Sequence, residues 1–395
     1  MLKVGVGQST TRTTSRAIEE AAGQAMARAG INQADLTLVF FTVDHLANRQ
    51  DLTSTLRLVT KTDQVVGCSA AGVLTSQGEI EGEAGVAVLV LSSDSLYARP
   101  FLFQPLRERE REVGGEIIQA LRAESEQNPH LVLFSDPYNG RADQVVQEIG
   151  ENYGFVPVVG AGSSEDGSQG KTFQLCGEQI TTNALSGLLL TGSFDSSIGV
   201  SQGCQPVSKP MVITKAEGNL IFEIDHRPAF EVFTQTVKGP LREDLRRALA
   251  FVFIGLPADP QKNSVEPGSY LVRNIIGLDS QKGILAVGEN VHTGENMIFT
   301  LREPQRARED LDQMLQRQVA SLDGKKPQLG LYFNCCARGT SLYGLSGIDT
   351  AYIQKSLGEF PLIGFFGSFE LGPMGMKNHL LAYTGVLVLI TEKTN

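Results

Sequence analysis

The chain contains three repeats of one strand pattern, and this pattern limits the possible fold more than any single motif. In each repeat an apolar strand ends in polar residues, a helix follows, a second strand runs into glycine and small residues, and a third strand closes the repeat. The first strands span 36–45, 131–140 and 329–340, the second 65–73, 158–167 and 362–373, and the third 85–92, 186–193 and 385–391. This order predicts an α/β fold with mixed sheets built from repeated α-β-α-β-β units.

Each repeat also begins with a predicted helix, because apolar residues recur there at helical spacing. The helices are predicted over 14–29, 113–127 and 303–322. A further helix connects the first and second strands of each repeat, so we expect these two strands to be parallel. Repeats 1 and 2 also match in sequence, with Phe41 and Phe134 aligned with each other.

The pattern is interrupted between residues 193 and 303, where several short strand candidates follow one another without the same helices. This composition predicts an antiparallel β-rich insertion in the C-terminal half of the chain. Proline, glycine and serine are frequent around 203–210, as in a connection between domains. We therefore predict one domain over 1–207, with two repeats, and a second over 208–395, with the β-rich segment and repeat 3.

Composition and charge exclude several classes of protein. The formal charge of −10 argues against a nucleic-acid partner, because nucleic acid binds to a basic face. The hydrophobic share of 41% and the charged share of 20% are typical of a globular protein. The longest apolar runs are far shorter than the ~20 residues that cross a bilayer, so we predict no membrane insertion.

Cysteine usage and loop motifs predict neither a metal nor a cofactor. The five cysteines show no CxxC spacing, and no histidine cluster accompanies them. Near-matches to phosphate-binding and dinucleotide-binding loops have Glu165 and Thr10 where a glycine is required. An odd number of cysteines and the lack of a recognisable signal peptide predict reduced thiols and a cytoplasmic location.

The second strands end in small residues at the edge where open α/β sheets bind ligands. Glycine at such a place lets backbone N–H groups come close to a ligand. We predict that these strand ends contribute to one ligand site. The residues concerned are Gly67, Cys68, Ser69, Gly160, Gly162, Ser163 and Ser368.

Polar residues at the ends of the other strands complete the predicted site. Arg338 presents a planar fork that suits a carboxylate, and Glu370 or Asp136 could bind an amine. Asn334, Cys335 and Gly339 lie in the same segment as Arg338 and belong to the predicted site. Alternatively, Arg338 and Glu370 form a structural salt bridge or are two solvated loop charges.

Two cysteines leave an enzymatic alternative open. Cys335 lies at a strand end near Arg338, which would favour a thiolate, and Cys68 lies in a loop similar to a nucleophile elbow. These residues could serve a cysteine-dependent acyl-transfer or hydrolytic enzyme, although no histidine base is near in sequence. The other interpretation of Cys335 is a small buried thiol packed at a strand end. A pure interaction scaffold is a further alternative.

Four stretches resemble motifs of one family. Residues 65–72 resemble a glycine-cysteine-small motif, 212–229 a segment that joins two domains, 334–339 a C-x-x-R-G motif and 361–373 a closing G-F-x-x-x-G-E motif. In their order and spacing, the chain resembles FIST proteins, with an N-terminal FIST domain over 1–207 and a C-terminal one over 208–395. It departs from the family at Phe369, where the family has glycine, and at Val73, where the family often has glutamate.

The resemblance implies a sensory protein in intracellular signal transduction that binds a small ligand, such as an amino acid or a similar small acid. Many family members are fused to signalling domains, and none is recognised in this sequence. The signal would therefore pass to a separate signalling protein such as a kinase or a response protein. Our leading hypothesis is a cytoplasmic, non-enzymatic sensor.

Overall fold

The computed structural model describes residues 1–123 and 128–393, which form two compact units. The larger unit contains Met1–Ser201, Leu311–Leu380 and Thr384–Asn395, and the smaller contains Gln202–Asp310 and Leu381–Tyr383. The larger unit contains nearly all residues of the three repeats. This grouping differs from the predicted domains, which place repeat 3 with the β-rich segment.

Repeat 1 begins with a strand and an alanine-rich helix that has the predicted bounds. Its helix packs alanines against the sheet and ends at Gly30, whose φ of 63° is left-handed. A 3₁₀ helix spans Val43–Asn48. The other elements are β1 (Lys3–Ser9), α1 (Thr14–Ala29), β2 (Leu36–Phe41), α2 (Arg49–Thr60), β3 (Val65–Ser69), β4 (Gly72–Thr75), β5 (Gly78–Glu81) and β6 (Val86–Ser92).

Repeat 2 has the same order of elements. Its first helix begins at Glu110, and the predicted end of this helix at Gln127 lies outside the described residues. The elements are β7 (Leu96–Phe103), α3 (Glu110–Ala123), β8 (His130–Ser135), α4 (Ala142–Asn152), β9 (Val158–Gly162), β10 (Gln174–Cys176), β11 (Gln179–Thr181) and β12 (Leu185–Gly192).

Repeat 3 begins with β13 (Phe194–Gln202), and the elements of the smaller unit come next along the chain. They are β14 (Cys204–Pro206), β15 (Met211–Glu217), β16 (Leu220–Ile224), β17 (Arg227–Pro228), α5 (Ala229–Thr236), α6 (Pro240–Glu243), α7 (Leu245–Ala248), β18 (Val252–Pro257), β19 (Tyr270–Asp279), β20 (Ile284–Val287) and β21 (Asn296–Arg302). These strands form one antiparallel sheet in the order β14-β21-β15-β16-β20-β19-β18, and β18 also pairs with β21. The sheet therefore closes on itself, and the predicted antiparallel β-rich insertion is confirmed.

The remaining elements of repeat 3 follow the smaller unit in sequence. They are α8 (Pro304–Ser321), β22 (Leu329–Cys335), α9 (Gly339–Tyr343), α10 (Ile348–Leu357), β23 (Leu362–Gly367), β24 (Glu370–Met374), β25 (Lys377–Leu381) and β26 (Thr384–Glu392). In each repeat the first two of the predicted strands pair in parallel, and the closing strand pairs with its neighbour antiparallel. The predicted fold class, α/β with mixed sheets, is confirmed.

Each repeat builds four strands of a sheet, and a hairpin from another repeat supplies the last two. The sheet orders are β1-β6-β2-β3-β10-β11, β7-β12-β8-β9-β24-β25 and β13-β26-β22-β23-β4-β5. The hairpins β4–β5, β10–β11 and β24–β25, which we call the exchange hairpins, thus pass from repeat 1 to repeat 3, from 2 to 1 and from 3 to 2. This closed exchange joins all three repeats in one compact unit, although repeat 3 is distant in sequence.

Phenylalanines of the three sheets contact one another in a shared core. The ring of Phe40 lies 5.2 Å from that of Phe134 and 4.6 Å from that of Phe365, between centroids. Phe134 in turn lies 6.1 Å from Phe333. All four side chains are fully buried, so one face of every sheet packs against the other two sheets.

The helices cover the opposite face of each sheet. Side chains of α1 and α2 pack on the first sheet, those of α3 and α4 on the second, and those of α8 and α10 on the third. Because side chains alternate along a strand, Phe333 of β22 faces the shared core while Tyr332 and Asn334 face the helices. This alternation places Asn334 beside helix α10.

Candidate functional site

A fully buried arginine at the carboxyl end of β22 forms an ion pair with an aspartate of α10. Arg338 Nε donates to Asp349 Oδ2 at 3.0 Å, and Nη2 donates to Oδ1 at 3.1 Å. Both side chains are at most 1% exposed. Two parallel N–H···O bonds are the strongest form of such a pair. The partner is thus Asp349, and the alternative salt bridge between Arg338 and Glu370 is corrected.

Asp349 also accepts hydrogen bonds from the helix-facing side chains of β22. The hydroxyl of Tyr332 donates to Oδ2 at 3.0 Å, and Asn334 Nδ2 donates to the same oxygen at 2.9 Å. Burial alone would raise the pKa of Asp349, but the Arg338 guanidinium and the hydroxyls of Tyr343 and Tyr332 outweigh it and lower that pKa. Asp349 is therefore held ionised, and it fixes the orientation of Arg338.

Three buried side chains in this region keep one polar atom each without a hydrogen-bond partner among the described residues. The atoms are Arg338 Nη1, Asn334 Oδ1 and Glu370 Oε1. We call Asn334, Arg338 and Glu370 the polar cluster; all three residues are fully buried. Because an unsatisfied buried polar group costs roughly 1–3 kcal/mol, native proteins satisfy nearly all such groups with protein atoms, ordered water, an ion or a ligand.

Glu370 enters this region from the exchange hairpin β24–β25. Its Oε2 accepts from the Thr384 hydroxyl at 2.7 Å and from the Thr384 N–H at 3.2 Å. Burial, and after it the neighbouring Cys335, raises the pKa of Glu370 well above its usual value, while Thr384 and Arg338 oppose this shift. The neutral acid is favoured, so Oε1 belongs to a group that can donate or accept a hydrogen bond.

The two candidate nucleophiles lie in buried surroundings. Burial raises the pKa of the Cys68 thiol, against a smaller lowering by a hydrogen bond to Ser163. Cys335 is 4% exposed, while the next residue, Cys336, is exposed. A thiol held in its neutral form is a poor nucleophile, so Cys68 does not have the environment of a reactive cysteine.

The backbone N–H groups that were expected to bind a ligand already donate within the protein. Those of Ser69, Ser163 and Ser368 bond to carbonyl oxygens at 2.8, 2.9 and 3.0 Å; the acceptors are Phe173, Ser135 and Gly162. The Ser69 hydroxyl also donates to the Ser164 carbonyl at 3.1 Å. These bonds connect neighbouring strand ends, so the predicted backbone cradle is not open at these three positions.

The glycines among the predicted residues are explained by close approach within the protein. A Cβ on Gly67 or Gly160 would lie 1.7 or 2.0 Å from a carbonyl oxygen of the adjacent strand, and one on Gly162 would lie 2.3 Å from Ser368 Oγ. Gly339 has a φ of +52°, and its Cβ would lie 2.6 Å from Glu81 Oε2. None of these contacts involves space open to a ligand.

Asp136 organises the turn that follows β8. Its Oδ1 accepts from the N–H of Tyr138 at 2.9 Å, and its Oδ2 accepts from the N–H of Asn183 at 2.7 Å. Asn139 donates to both oxygens, from its backbone and from its side chain. Asp136 is fully buried and has four hydrogen bonds, so a ligand amine would have to displace one of these donors.

Two residues at this site were missed from the sequence, namely Glu79 and Glu81 of the exchange hairpin β4–β5. Glu81 accepts from the N–H and the hydroxyl of Thr340, and Glu79 accepts from the N–H of Gly347 and of Thr350. The segment 78–81 reads Gly-Glu-Ile-Glu, which resembles an ordinary solvated hairpin. No local signal indicates that it crosses to repeat 3.

A surface cleft of about 780 Å³ lies where strands β2 and β7 begin, away from the polar cluster. Its lining comes from the start of β2, the end of β6, the start of β7 and two residues of β12. It contains none of the polar cluster.

Across 1–123 and 128–393, no group of three or more His, Cys, Asp or Glu side chains is arranged to hold a metal ion. The helices described there are all too short or too polar to cross a membrane.

Sequence comparison matches nearly the whole chain to one family. The profile of the FIST N domain matches residues 35–227, and that of the FIST C domain matches 229–373. An uncharacterized protein of Mycobacterium tuberculosis is 28% identical over 99% of this chain and 100% of its own length. An uncharacterized protein of Methanocaldococcus jannaschii is 21% identical over 44% of this chain and 35% of its own length.

Comparison with solved structures gives a more distant likeness. A crystal structure of cyanuric acid hydrolase from A. caulinodans covers 100% of both chains, with a TM-score of 0.40 and 11% sequence identity. A score and an identity this low carry no conclusion about fold or chemistry. The family match is therefore the finding that bears on function.

Proposed function

We propose that this chain, which belongs to the FIST family, binds a small polar ligand at the polar cluster and acts as a sensor in a signalling pathway. The family is associated with signal transduction and small-ligand sensing. The observation that carries the proposal is the set of three buried polar atoms, at Asn334, Arg338 and Glu370, that have no hydrogen-bond partner within 1–123 and 128–393.

The chemistry of these atoms suits an amino acid or a similar small acid. Arg338 Nη1 carries N–H groups that a ligand carboxylate would accept, while Nε and Nη2 remain bonded to Asp349. Asn334 Oδ1 would accept an N–H from the ligand, and Glu370 would accept or donate as its protonation changes. Because four donors already surround Asp136, we assign the amine contact to Asn334 and Glu370.

A binding role fits these residues better than catalysis. The raised pKa of Cys68 favours a neutral thiol, and Cys335 is a buried residue beside the carboxyl group of Glu370. The sensor would transmit its signal to a separate protein such as a kinase or a response protein. All five cysteines of the chain are reduced thiols, which suits a reducing compartment and hence a cytoplasmic protein.

The proposal is tested by thermal shift with glycine, which carries both a carboxylate and an ammonium group. Acetate lacks the ammonium group and methylamine lacks the carboxylate, so they serve as matched probes. A ligand at 100 times its Kd stabilises a protein by about 2.7 kcal/mol. We expect a shift with glycine or with L-alanine that is larger than with either partial probe.

A variant of Arg338 separates ligand binding at this residue from stabilisation by the amino acid elsewhere on the protein. Arg338→Lys keeps a positive charge beside Asp349 but loses the fork, so ligand binding should weaken at least about tenfold. Arg16→Lys changes an arginine whose side chain is 72% exposed and should leave binding unchanged. Equal shifts in the wild type and in Arg338→Lys, or no shift with any amino acid, would contradict the proposal.

A further inference from the structure

The exchange hairpin β4–β5 holds the backbone on both sides of the Arg338–Asp349 pair. Glu81 Oε1 accepts from the Thr340 N–H at 3.1 Å and from the Thr340 hydroxyl at 2.9 Å. Glu79 Oε2 accepts from the Gly347 N–H at 2.7 Å, and Oε1 accepts from the Thr350 N–H at 3.0 Å. Two carboxylates of repeat 1 thus bond to the starts of two helices in repeat 3.

These contacts lie directly next to the residues of the ion pair in sequence. Thr340 follows Arg338 by two positions, and Thr350 follows Asp349 by one. Gly339 lies between Arg338 and Thr340, and its lack of a Cβ leaves room for the Glu81 carboxylate, which would lie 2.6 Å from such an atom. A shift of the hairpin would therefore move the backbone that carries Arg338 and the backbone that carries Asp349.

The charged side chains that act on Glu79 are acidic. Asp349 on α10 and Glu81 on the same hairpin are its acidic neighbours, and the Tyr343 hydroxyl on α9 is the third titratable group in range. Burial, and then Asp349, raises the pKa of Glu79 to about 7, although the two backbone N–H groups oppose this shift. Glu79 therefore changes charge near neutral pH while it is bonded to the helix that carries Asp349.

We infer that Glu79 and Glu81 are positioning residues for Arg338, and that the charge on Glu79 acts on the guanidinium through Asp349, because Glu79 binds the N–H of Thr350 next to Asp349 and Asp349 binds Arg338. The significance of this effect for a ligand rests on the proposed function, whereas the positioning itself is a property of the protein alone. Ionised Glu79 adds negative charge near Asp349, the partner of Arg338, so the attraction of this ion pair for an anionic ligand weakens as pH rises through 7.

The inference is tested without a ligand, by NMR of arginine side chains in the ¹⁵N-labelled full chain. The Arg338 Nε–H group is buried and bonded to Asp349, so its signal is protected from exchange, and it is assigned by its loss in Arg338→Lys. Between pH 5.5 and 8.5 we expect this signal to shift with a midpoint near 7. In Glu79→Gln the shift should disappear, because an amide does not titrate.

Glu83→Gln is the matched control, since Glu83 follows the same hairpin and is exposed. It should leave the titration of the Arg338 signal unchanged. A wild-type signal that stays constant over this pH range would overturn the inference, even if Glu79→Gln did not fold. An unchanged titration in Glu79→Gln would overturn it as well.

The two proposals fail in different ways. Acetate and glycine binding at pH 6 and pH 8 tests whether the charge on Glu79 affects the ligand; we expect weaker binding at pH 8 in the wild type and equal binding in Glu79→Gln. Absence of binding at both pH values with a normal Arg338 titration would reject the proposed function and leave the positioning role supported.

Discussion

Gly364→Ala tests whether the strand glycines serve the packing of the sheets. An alanine Cβ at this position would lie 1.7 Å from the carbonyl oxygen of Tyr332 and 2.7 Å from its carbon. Nonbonded heavy atoms keep roughly 3.5 Å apart, so β22 and β23 would have to separate by roughly 1–2 Å. That movement breaks hydrogen bonds of a six-pair parallel ladder, and we expect a destabilisation of roughly 3 kcal/mol or more.

The assay is urea unfolding followed by far-UV circular dichroism, with the midpoint compared between the variant and the wild type. Gly115→Ala is the control, because a Cβ at this position in α3 meets no atom within 4 Å. It should stabilise the protein by about 0.5–1 kcal/mol, since alanine favours a helix. Gly114→Ala, at the adjacent position, should cost stability because its Cβ would lie 2.8 Å from the Glu148 Cβ.

The outcome decides between two roles for the glycine-rich strands. A Gly364→Ala protein that unfolds within about 0.5 kcal/mol of the wild type would refute the close-approach argument. Gly67→Ala should have a similar cost, because a Cβ on Gly67 would also lie 1.7 Å from a carbonyl oxygen. If both variants were stable but lost ligand binding, the backbone cradle expected from the sequence would be the better explanation.

Three other substitutions address the site. The raised pKa of Glu79, about 7 instead of 4.5, contributes stability that is complete below pH 4.5 and is lost as pH rises through 7. In urea unfolding, the wild type should therefore lose roughly 2–3 kcal/mol of its free energy of unfolding between pH 4.5 and 8, and Glu79→Gln should not show this loss. A variant with the same pH profile as the wild type would contradict this. Asp349→Asn leaves the Arg338 charge buried and should cost roughly 3–5 kcal/mol by the same method; a cost under about 1 kcal/mol would be inconsistent. Glu370→Gln resembles the favoured neutral acid, so its cost at pH 6 should stay below about 1 kcal/mol, and a larger loss would indicate an ionised Glu370.

The local architecture could be predicted from the sequence because it follows from short-range patterns. The alanines of α1 recur at helical spacing, and Gly30 marks the end of the helix, so its bounds were correct. The parallel pairing within each repeat follows from the helix that connects the two strands. The alignment of Phe41 with Phe134 was wrong by one residue, because Phe40 and Phe134 occupy equivalent places in the parallel ladders.

The exchange of hairpins could not be predicted from the sequence. Thr75 of β4 pairs with Ile363 of β23, and nothing in either segment identifies a partner so far along the chain. An exposed edge strand accepts any strand of suitable length, so pairing depends on how the whole unit closes. The same exchange brings Glu79 and Glu81 to repeat 3, which explains why both were missed.

The candidate site was predicted in part. Arg338 and Glu370 were selected because they follow strong strands, and both are buried with a polar atom that has no partner among the described residues. Asp349 was not predicted as the partner of Arg338, since 44 acidic residues offer many candidates and spacing does not distinguish them. The small residues at the strand ends were predicted as ligand contacts, but their N–H groups join strands instead.

The most direct test of the central claim is a high-resolution crystal structure of the protein grown with glycine. We expect density for a small molecule within hydrogen-bond distance of Arg338 Nη1, with a second contact to Asn334 Oδ1 or Glu370 Oε1. Density for water alone at these atoms, with glycine present at high concentration, would contradict it. So would a guanidinium whose three nitrogens all donate to protein oxygens.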